Sequence, residues 1–263
     1  MSRIRVRFAK LGKVRWTSHR DVARMWERAF RRVQLPVAYS EGFSPRPRLS
    51  FGLALPTGCE SVAEYLDVEV AGDGVDVDVR LLPDRLSAAL PAGVDAVAAA
   101  VLPPGSPSLQ EVVDSCTWRW SAVAAEGGLP PGEDDLAARA AALLAAPTAV
   151  VTRARKGVET TDDIRPGILD LRVLGSVACP ESRDSGESGG DPSPAVWVEA
   201  ELASKPRSLR PAEVMAALSP GLEERDVRRT HQWILRDGAR REPLTVGAPD
   251  VATAAPHAWE RAS

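Results

Sequence analysis

Residues 18–33 read SHRDVARMWERAFRRV, and this spacing predicts an amphipathic helix. Apolar residues recur at helical intervals, with Trp26 and Phe30 at the centre of the apolar stripe. Ser18 and Asp21 fit a capping box, in which both side chains satisfy free N–H groups of the first turn. We therefore expect a helix that packs Trp26 and Phe30 into a core and turns a row of arginines to solvent.

Strand patterns lie on both sides of this helix, because apolar and polar residues alternate there. The segment KVRW (13–16) extends the first strand or forms its hairpin partner. The elements that the first half predicts are a strand at 4–10, the helix at 18–33, a strand with a loop at 37–51, a strand at 64–70, a short helix at 81–90 and a strand at 94–102. Their order is β-α-β-β-α-β.

The second half repeats this order. Its predicted elements are a strand at 116–123, a helix at 134–146, strands at 150–155 and 168–173 around a turn, a further strand at 195–202, a helix at 211–218 and a strand at 227–235. A β-α-β-β-α-β unit is the ferredoxin-like fold, an antiparallel sheet backed by two helices. We therefore expect the α+β class, with tandem ferredoxin-like (βαββαβ) domains.

Segments rich in proline, glycine and polar residues divide the chain. The run PPGSPS at 103–108 is typical of a domain boundary, which gives an N-terminal domain at 1–103 and a C-terminal domain at 109–237. Residues 179–194 are low in complexity and too polar to pack, so we expect a disordered insertion in a loop. Residues 238–263 are expected to form a flexible tail.

Positive charge is concentrated at one end. Residues 1–50 carry thirteen Lys and Arg against three acids, although the whole chain has a net charge of −3. Such a field attracts polyanions, so RNA, DNA, an anionic membrane surface or an acidic protein is a candidate partner. A solvated basic face is the alternative. We do not expect a membrane binder, because the apolar side of the helix at 18–33 is needed for a core.

The composition favours a cytoplasmic protein. The N-terminus is charged throughout and has no apolar run of a secretory signal, and no stretch reaches the length of a spanning helix. Cys59, Cys116 and Cys179 lie too far apart for a disulfide framework or a zinc site. We therefore expect no metal and no cofactor.

Residues 1–50 hold most of the candidate binding residues, and Lys156 and Arg165 in the second half form either a second basic edge or a solvated hairpin. Arginine forks suit phosphate because each holds two oxygens, and Arg46 and Arg48 alternate on an extended segment stiffened by prolines. Phe43 either stacks on a base or anchors the loop. The residues predicted to contact nucleic acid or a partner are Lys13, Arg15, His19, Arg20, Arg24, Arg28, Phe43, Arg46, Arg48, Ser50, Lys156 and Arg165.

Two further side chains have open interpretations. His19 is a phosphate ligand or a general base on one reading, and a surface histidine at a helix start on the other. Arg119 between Trp118 and Trp120 suggests base stacking, since some RNA-binding modules stack bases on a sheet of this topology. Tryptophans in an alternating strand are more often packed in a core, and the usual RNA-recognition signature, with its closely spaced strand aromatics, is not visible in the sequence.

The segments RWTSHRD (15–21), AFRRVQLPVAYSEGFSPRPRLSFGLALPTG (29–58) and EYLDVEV (64–70) resemble the bacterial radical-SAM-linked proteins of the DUF2344 type. The resemblance extends over about residues 3–235, with DIRPGILDL (163–171) and LRPAEVMAAL (209–218) in the second half. Arg20 stands where an aliphatic residue is common in the family. Such proteins are encoded beside, or fused to, a B12-binding radical SAM protein, near genes for ribonuclease E/G and ribosomal proteins.

The resemblance implies a partner protein. The chain lacks the CxxxCxxC triplet of a radical SAM cluster, so it is not itself the radical enzyme. We expect a non-catalytic protein that binds RNA and presents it to a B12-binding radical SAM enzyme, in RNA modification or ribosome-related processing. One alternative is a metal-independent RNA-processing endonuclease that uses His19. Another is a protein adaptor for the radical SAM subunit without RNA contact.

Overall fold

The computed structural model describes residues 2–72, 77–125, 132–155, 157–175, 195–244 and 251–253. The chain forms two compact units: unit 1 comprises Met1–Val113 and Gln232–Ser263, and unit 2 comprises Asp114–His231. The first division follows Val113, ten residues after the predicted end of the N-terminal domain. The predicted insertion at 179–194 lies outside the described residues.

Unit 1 has the βαββαβ order that the sequence predicts. Its principal elements are β1 (Ser2–Lys10), α1 (His19–Arg32), β2 (Leu49–Phe51), β3 (Glu60–Val70), α2 (Leu82–Ala89) and β4 (Val94–Leu102). The sheet order is β4-β1-β3-β2, and each of these pairs is antiparallel. This is the ferredoxin-like arrangement, so the predicted α+β class is confirmed.

The helices of unit 1 cover one face of its sheet. Alternate residues of β1 (Ile4, Val6 and Phe8) pack with Trp26 and Phe30 of α1 in one buried cluster. The Phe8 and Trp26 rings meet edge to face, with 5.0 Å between their centroids. The predicted role of Trp26 in the core is confirmed, since the side chain is fully buried.

The opposite face of the unit 1 sheet is covered by other parts of the same chain. The short helix α3 (Leu109–Val112) and the segment that begins with β11 (Ala239–Arg241) supply Leu109 and Leu244. Both pack over the buried Tyr65 of β3. This face therefore does not offer the open sheet on which some RNA-binding modules stack bases.

Ion pairs lie on this covered face. Arg5 of β1 donates from Nε to Asp67 of β3 at 2.7 Å, and both side chains are almost fully buried. Arg7 donates to Glu242 at 2.8 Å. A buried cation needs such a partner, because an unpaired charge is strongly destabilising there. Of the thirteen cations near the N-terminus, these two are therefore held by carboxylates within the fold and are not displayed to a ligand.

The expectation of a flexible tail over 238–263 is wrong for the described parts of that segment. Residues of β11 pair with the strand before them, and β12 (Ala252–Thr253) pairs with β4. Leu244 is 5% exposed. Burial of apolar area together with strand hydrogen bonds fixes these residues.

One further prediction for unit 1 is wrong and another is only partly met. The segment KVRW lies in a 3-10 helix, Gly12–Trp16, and not in a strand. The segment 37–51, predicted as a strand with a loop, contains β2 and isolated bridges from Val37 to Val70 and from Tyr39 to Pro47. Glycines and prolines in these segments favour turns over a continuous strand.

Unit 2 repeats the order with an added hairpin. Its elements are β5 (Ser115–Ala124), α4 (Glu133–Ala145), β6 (Val150–Arg155), β7 (Val158–Asp163), β8 (Ile168–Gly175), β9 (Val196–Ala203), α5 (Pro211–Leu218) and β10 (Leu222–Arg236), of which the residues to His231 belong to this unit. The sheet order is β10-β5-β9-β8. Strand β7 is not among the predicted elements, and it pairs with β6 in a separate two-stranded sheet.

The tryptophans of β5 are packed and not presented for stacking. Trp118 is 4% exposed and Trp120 is fully buried. The guanidinium of Arg229 lies 5.2 Å from the Trp118 ring centroid. Arg119, on the other face of the strand, pairs with Glu199. Across the described ranges, no helix is long and apolar enough to cross a membrane.

Candidate nucleic-acid interface

Helix α1 presents a basic face because its cap and its apolar stripe fix its orientation. The Ser18 hydroxyl accepts a hydrogen bond from the Asp21 amide at 3.2 Å and lies 2.6 Å from the Asp21 carboxylate. The helix turns Val22, Trp26 and Phe30 inward. The arginines that remain exposed on its outer side are Arg20, Arg24, Arg28, Arg31 and Arg32.

These arginines differ in their partners. Arg24 forms an exposed ion pair with Asp21 at 3.6 Å, and Arg32 donates to the Ala89 carbonyl at 2.9 Å. Among the described residues, neither Arg20 nor Arg28 has an ion pair or a side-chain hydrogen bond. An exposed ion pair contributes little stabilising free energy, so an incoming phosphate competes easily with Asp21 for Arg24.

The loop between α1 and β2 is a hairpin, which we call the aromatic hairpin, residues 38–48. The amide of Arg48 donates to the Ala38 carbonyl at 2.8 Å, and that of Ser40 to the Arg46 carbonyl at 2.9 Å. The Ser40 hydroxyl accepts from the Arg46 amide at 3.0 Å. Gly42 has a φ of +117°, which permits the reversal at the tip. The arms are thus paired, and residues 41–45 form the projecting end.

The tip of the aromatic hairpin exposes an aromatic ring. Phe43 has a relative exposure of 111%, so folding buries none of it, and Tyr39 on the first arm is 48% exposed. Of the two interpretations of Phe43, anchoring of the loop by this ring has no support in these contacts. Arg46 is exposed beside the tip and has no side-chain partner in the described part of the chain.

Arg46 and Arg48 differ in their partners. Arg48 donates to the Glu69 carboxylate at 3.0 Å, whereas Arg46 is unpaired among the described residues. Ser50 is exposed in β2. The charge of Arg48 is therefore partly compensated, and Arg46 is the cation more available to a phosphate.

The 3-10 helix Gly12–Trp16 carries further cations. Lys13 is exposed, and Arg15 pairs with Glu60 at 3.4 Å. The Arg15 guanidinium lies 5.5 Å from the ring centroid of Trp16, which is 64% exposed. The sequence pattern does not mark Trp16 as a binding residue, because KVRW has the pattern of a strand. Gly12, with a φ of +69°, was the available sign of a turn.

His19 lies at the mouth of a narrow cleft. Its ring meets that of Phe51 edge to face, with 4.9 Å between centroids, and the cleft is also lined by Lys10 and Glu64. Lys10 donates to the carbonyls of Arg15 and Thr17 at 3.3 and 3.1 Å. Burial lowers the pKa of Lys10, and the charge of Glu64 opposes this. The cleft has about 20 Å³ of room, enough for about one water molecule.

The remaining predicted residues, Lys156 and Arg165, come from the second half of the sequence. Lys156 lies outside the described residues. Arg165 belongs to unit 2, where its guanidinium donates to the Leu144 carbonyl at 3.1 and 2.6 Å and to the Ile168 carbonyl at 2.9 Å. These contacts occupy the guanidinium fork with backbone, which indicates a structural role. Within the ranges that the structure describes, no group of His, Cys, Asp and Glu is arranged to hold a metal ion.

The chain belongs to the family described as "Uncharacterized protein conserved in bacteria (DUF2344)", whose model matches residues 3–221. No curated protein matches the chain. Among solved structures, it resembles a chain from "Crystal Structure of a Cbf5-Nop10-Gar1 Complex", with 10% identity and a TM-score of 0.44. The likeness covers 87% of this chain and 48% of the other, so this chain spans about half the length of that one.

Proposed function

We propose that the protein binds RNA through unit 1 and serves as a non-catalytic partner of a B12-binding radical SAM enzyme. The observation that carries the RNA part is the fully exposed Phe43 at the tip of a hydrogen-bonded hairpin, with Arg46 beside it, which is unpaired among the described residues. The radical SAM part rests on the family resemblance. A role in RNA modification or ribosome-related processing follows from both.

Nucleic acid fits this surface better than a small molecule does. Aromatic rings stack on bases, and arginines hold phosphates, so RNA uses both kinds of group at once. The outer face of α1 adds Arg20 and Arg28, which have no ion pair in the described part of the chain. The volume of the cleft beside His19 is far smaller than the roughly 300 Å³ of a typical ligand pocket.

RNA binding is tested by titrating labelled RNA at several salt concentrations. We expect log Kd to rise linearly with log salt, because cationic contacts release counterions. The variant Phe43→Ser should weaken RNA binding without lowering the melting temperature, since the ring is fully exposed. Absence of RNA binding at low salt would contradict the proposal and favour an adaptor that contacts only protein.

The partner is tested by co-purification. A tagged chain should retain a radical SAM protein from cells of its source, and the complex should contain RNA that crosslinks to unit 1. Recovery of the radical SAM protein without RNA would favour the adaptor. Recovery of RNA alone would leave a free-standing RNA-binding protein.

The cleft beside His19 supports the second candidate function, a metal-independent endonuclease. His19, Lys10 and Glu64 line the same cleft, and such groups serve as general acids and bases when they reach the reacting atoms. Purified protein would then cut RNA in the presence of a chelator and leave cyclic phosphate or 3′-phosphate ends. Cleavage by the wild type that disappears in His19→Ala would replace the non-catalytic assignment.

A further inference from the structure

The 3-10 helix Gly12–Trp16 ends in a tryptophan that faces solvent. Trp16 is 64% exposed, whereas Trp26, Trp118 and Trp120 are buried. A tryptophan usually contributes to stability by burying its large apolar area. Trp16 contributes much less buried area than these residues do.

The turn that carries Trp16 is held on two sides by glycines. The Leu11 amide donates to the Gly93 carbonyl at 2.8 Å, and the Gly58 amide donates to the Arg15 carbonyl at 2.9 Å. A Cβ atom on Gly93 would lie 2.4 Å from the Leu11 oxygen, and one on Gly58 would lie 2.8 Å from Cζ3 of Trp16. Both glycines also have positive φ, so a larger residue is disfavoured twice.

The Lys10 ammonium fixes the turn from inside the protein. It donates to the carbonyls of both Arg15 and Thr17, the residues on either side of Trp16. The Gly12 amide adds a hydrogen bond of 2.7 Å to Glu60. The backbone beside the ring is thus ordered before any ligand arrives, which lowers the entropic cost of binding.

Cations accompany the ring. Arg15 lies over Trp16 at 5.5 Å from its centroid, and Lys13 is exposed in the same turn. An ordered aromatic ring with cations beside it is the combination that binds single strands, since bases stack on the ring and phosphates meet the charges. A base inside a duplex has both faces covered by its neighbours and is not available for such stacking.

We infer that Trp16 is a stacking platform for an unpaired base, so that the RNA bound by unit 1 is single-stranded at this turn. The inference rests on the proposed function and adds the class of RNA. Trp16 acts with Phe43 as a second aromatic contact, and the two rings lie on separate ordered turns of the same unit.

The test compares two probes and three variants. A labelled strand of mixed uridine and cytidine, which does not pair with itself, is titrated alone and as a duplex with its complement. Trp16→Ala should weaken binding of the single strand by about 5- to 100-fold, the range of one lost stacking contact. Trp16→Phe should restore part of the affinity. Leu81→Ala, which truncates another exposed apolar side chain of unit 1 (56% exposed), should change nothing.

Tryptophan fluorescence gives a second readout that does not depend on the alanine variant folding. Emission of the wild type should fall when the single strand is added, because a stacked base quenches the ring, and this decrease should be absent in Trp16→Phe. Preference for the single strand with these effects supports the inference. Equal binding of strand and duplex, unchanged by Trp16→Ala, would overturn it while leaving the proposed function standing. Failure of the wild type to bind either probe would overturn both.

Discussion

The structure predicts that Arg46 and Arg48, which the sequence presents as equivalent, contribute unequally to RNA binding. Arg46 is exposed and unpaired among the described residues, whereas Arg48 lies 3.0 Å from the Glu69 carboxylate. We expect Arg46→Gln to weaken binding and to reduce its salt dependence. Replacing Arg48 and Glu69 together by glutamine removes a pair of zero net charge and should leave the salt dependence unchanged.

The magnitude follows from counterion release. Each phosphate contact on a single strand contributes about 0.7 to the slope of log K against log salt. The loss of Arg46 should therefore weaken binding about 8-fold at about 50 mM salt and about 3-fold at about 200 mM salt. The paired replacement should change affinity less than about 2-fold, because the exposed pair has zero net charge and its removal leaves the electrostatic field unaltered.

The assay is fluorescence anisotropy of a labelled single strand over a salt series. Arg139→Gln, which removes one exposed arginine of unit 2, controls for the change in net charge. Melting temperatures should stay near that of the wild type for each variant. The reasoning would be refuted if Arg46→Gln left the slope unchanged, or if the paired replacement reduced the slope as much as Arg46→Gln does.

Three further predictions concern stability. Trp26→Ala should destabilise the protein by about 3–5 kcal/mol in urea unfolding, because the ring is fully buried. Arg165→Ala should lower the free energy of unfolding by about 1–3 kcal/mol through its lost bonds to the Leu144 and Ile168 carbonyls, and an altered RNA affinity would contradict its structural role. Burial raises the pKa of Glu242 above 4.5, so stability should fall as pH rises through the range just above that value, and Glu242→Gln should remove this slope.

Local sequence signals were sufficient for much of unit 1. The helix at 18–33 differs from α1 only at its ends, since the Ser18 cap and the apolar period both act within one or two turns. The antiparallel ferredoxin-like order followed from alternating strands between helices. The exposure of the arginines on α1 also followed, because a helix that buries Trp26 and Phe30 must turn its other side to solvent.

The remaining features depend on contacts between distant parts of the chain. Arg5 and Arg7 counted as available charge in the sequence, yet Asp67 and Glu242 pair with them in the fold. Arg165 likewise meets the Leu144 carbonyl, which no residue pattern marks. Composition gives the number of charges, but only the three-dimensional arrangement decides which charges are free to meet a ligand.

The covered sheet of unit 1 explains why the candidate interface lies on turns. In modules that read RNA on a ferredoxin-like sheet, aromatic side chains of the central strands stand open to solvent. Here Tyr65 of a central strand is buried beneath Leu109 and Leu244, and burial raises its pKa strongly. Stacking on this face would require the chain's own segments to leave and would expose the Arg5–Asp67 pair. The rings of Trp16 and Phe43 need no such rearrangement, since both are exposed on ordered turns.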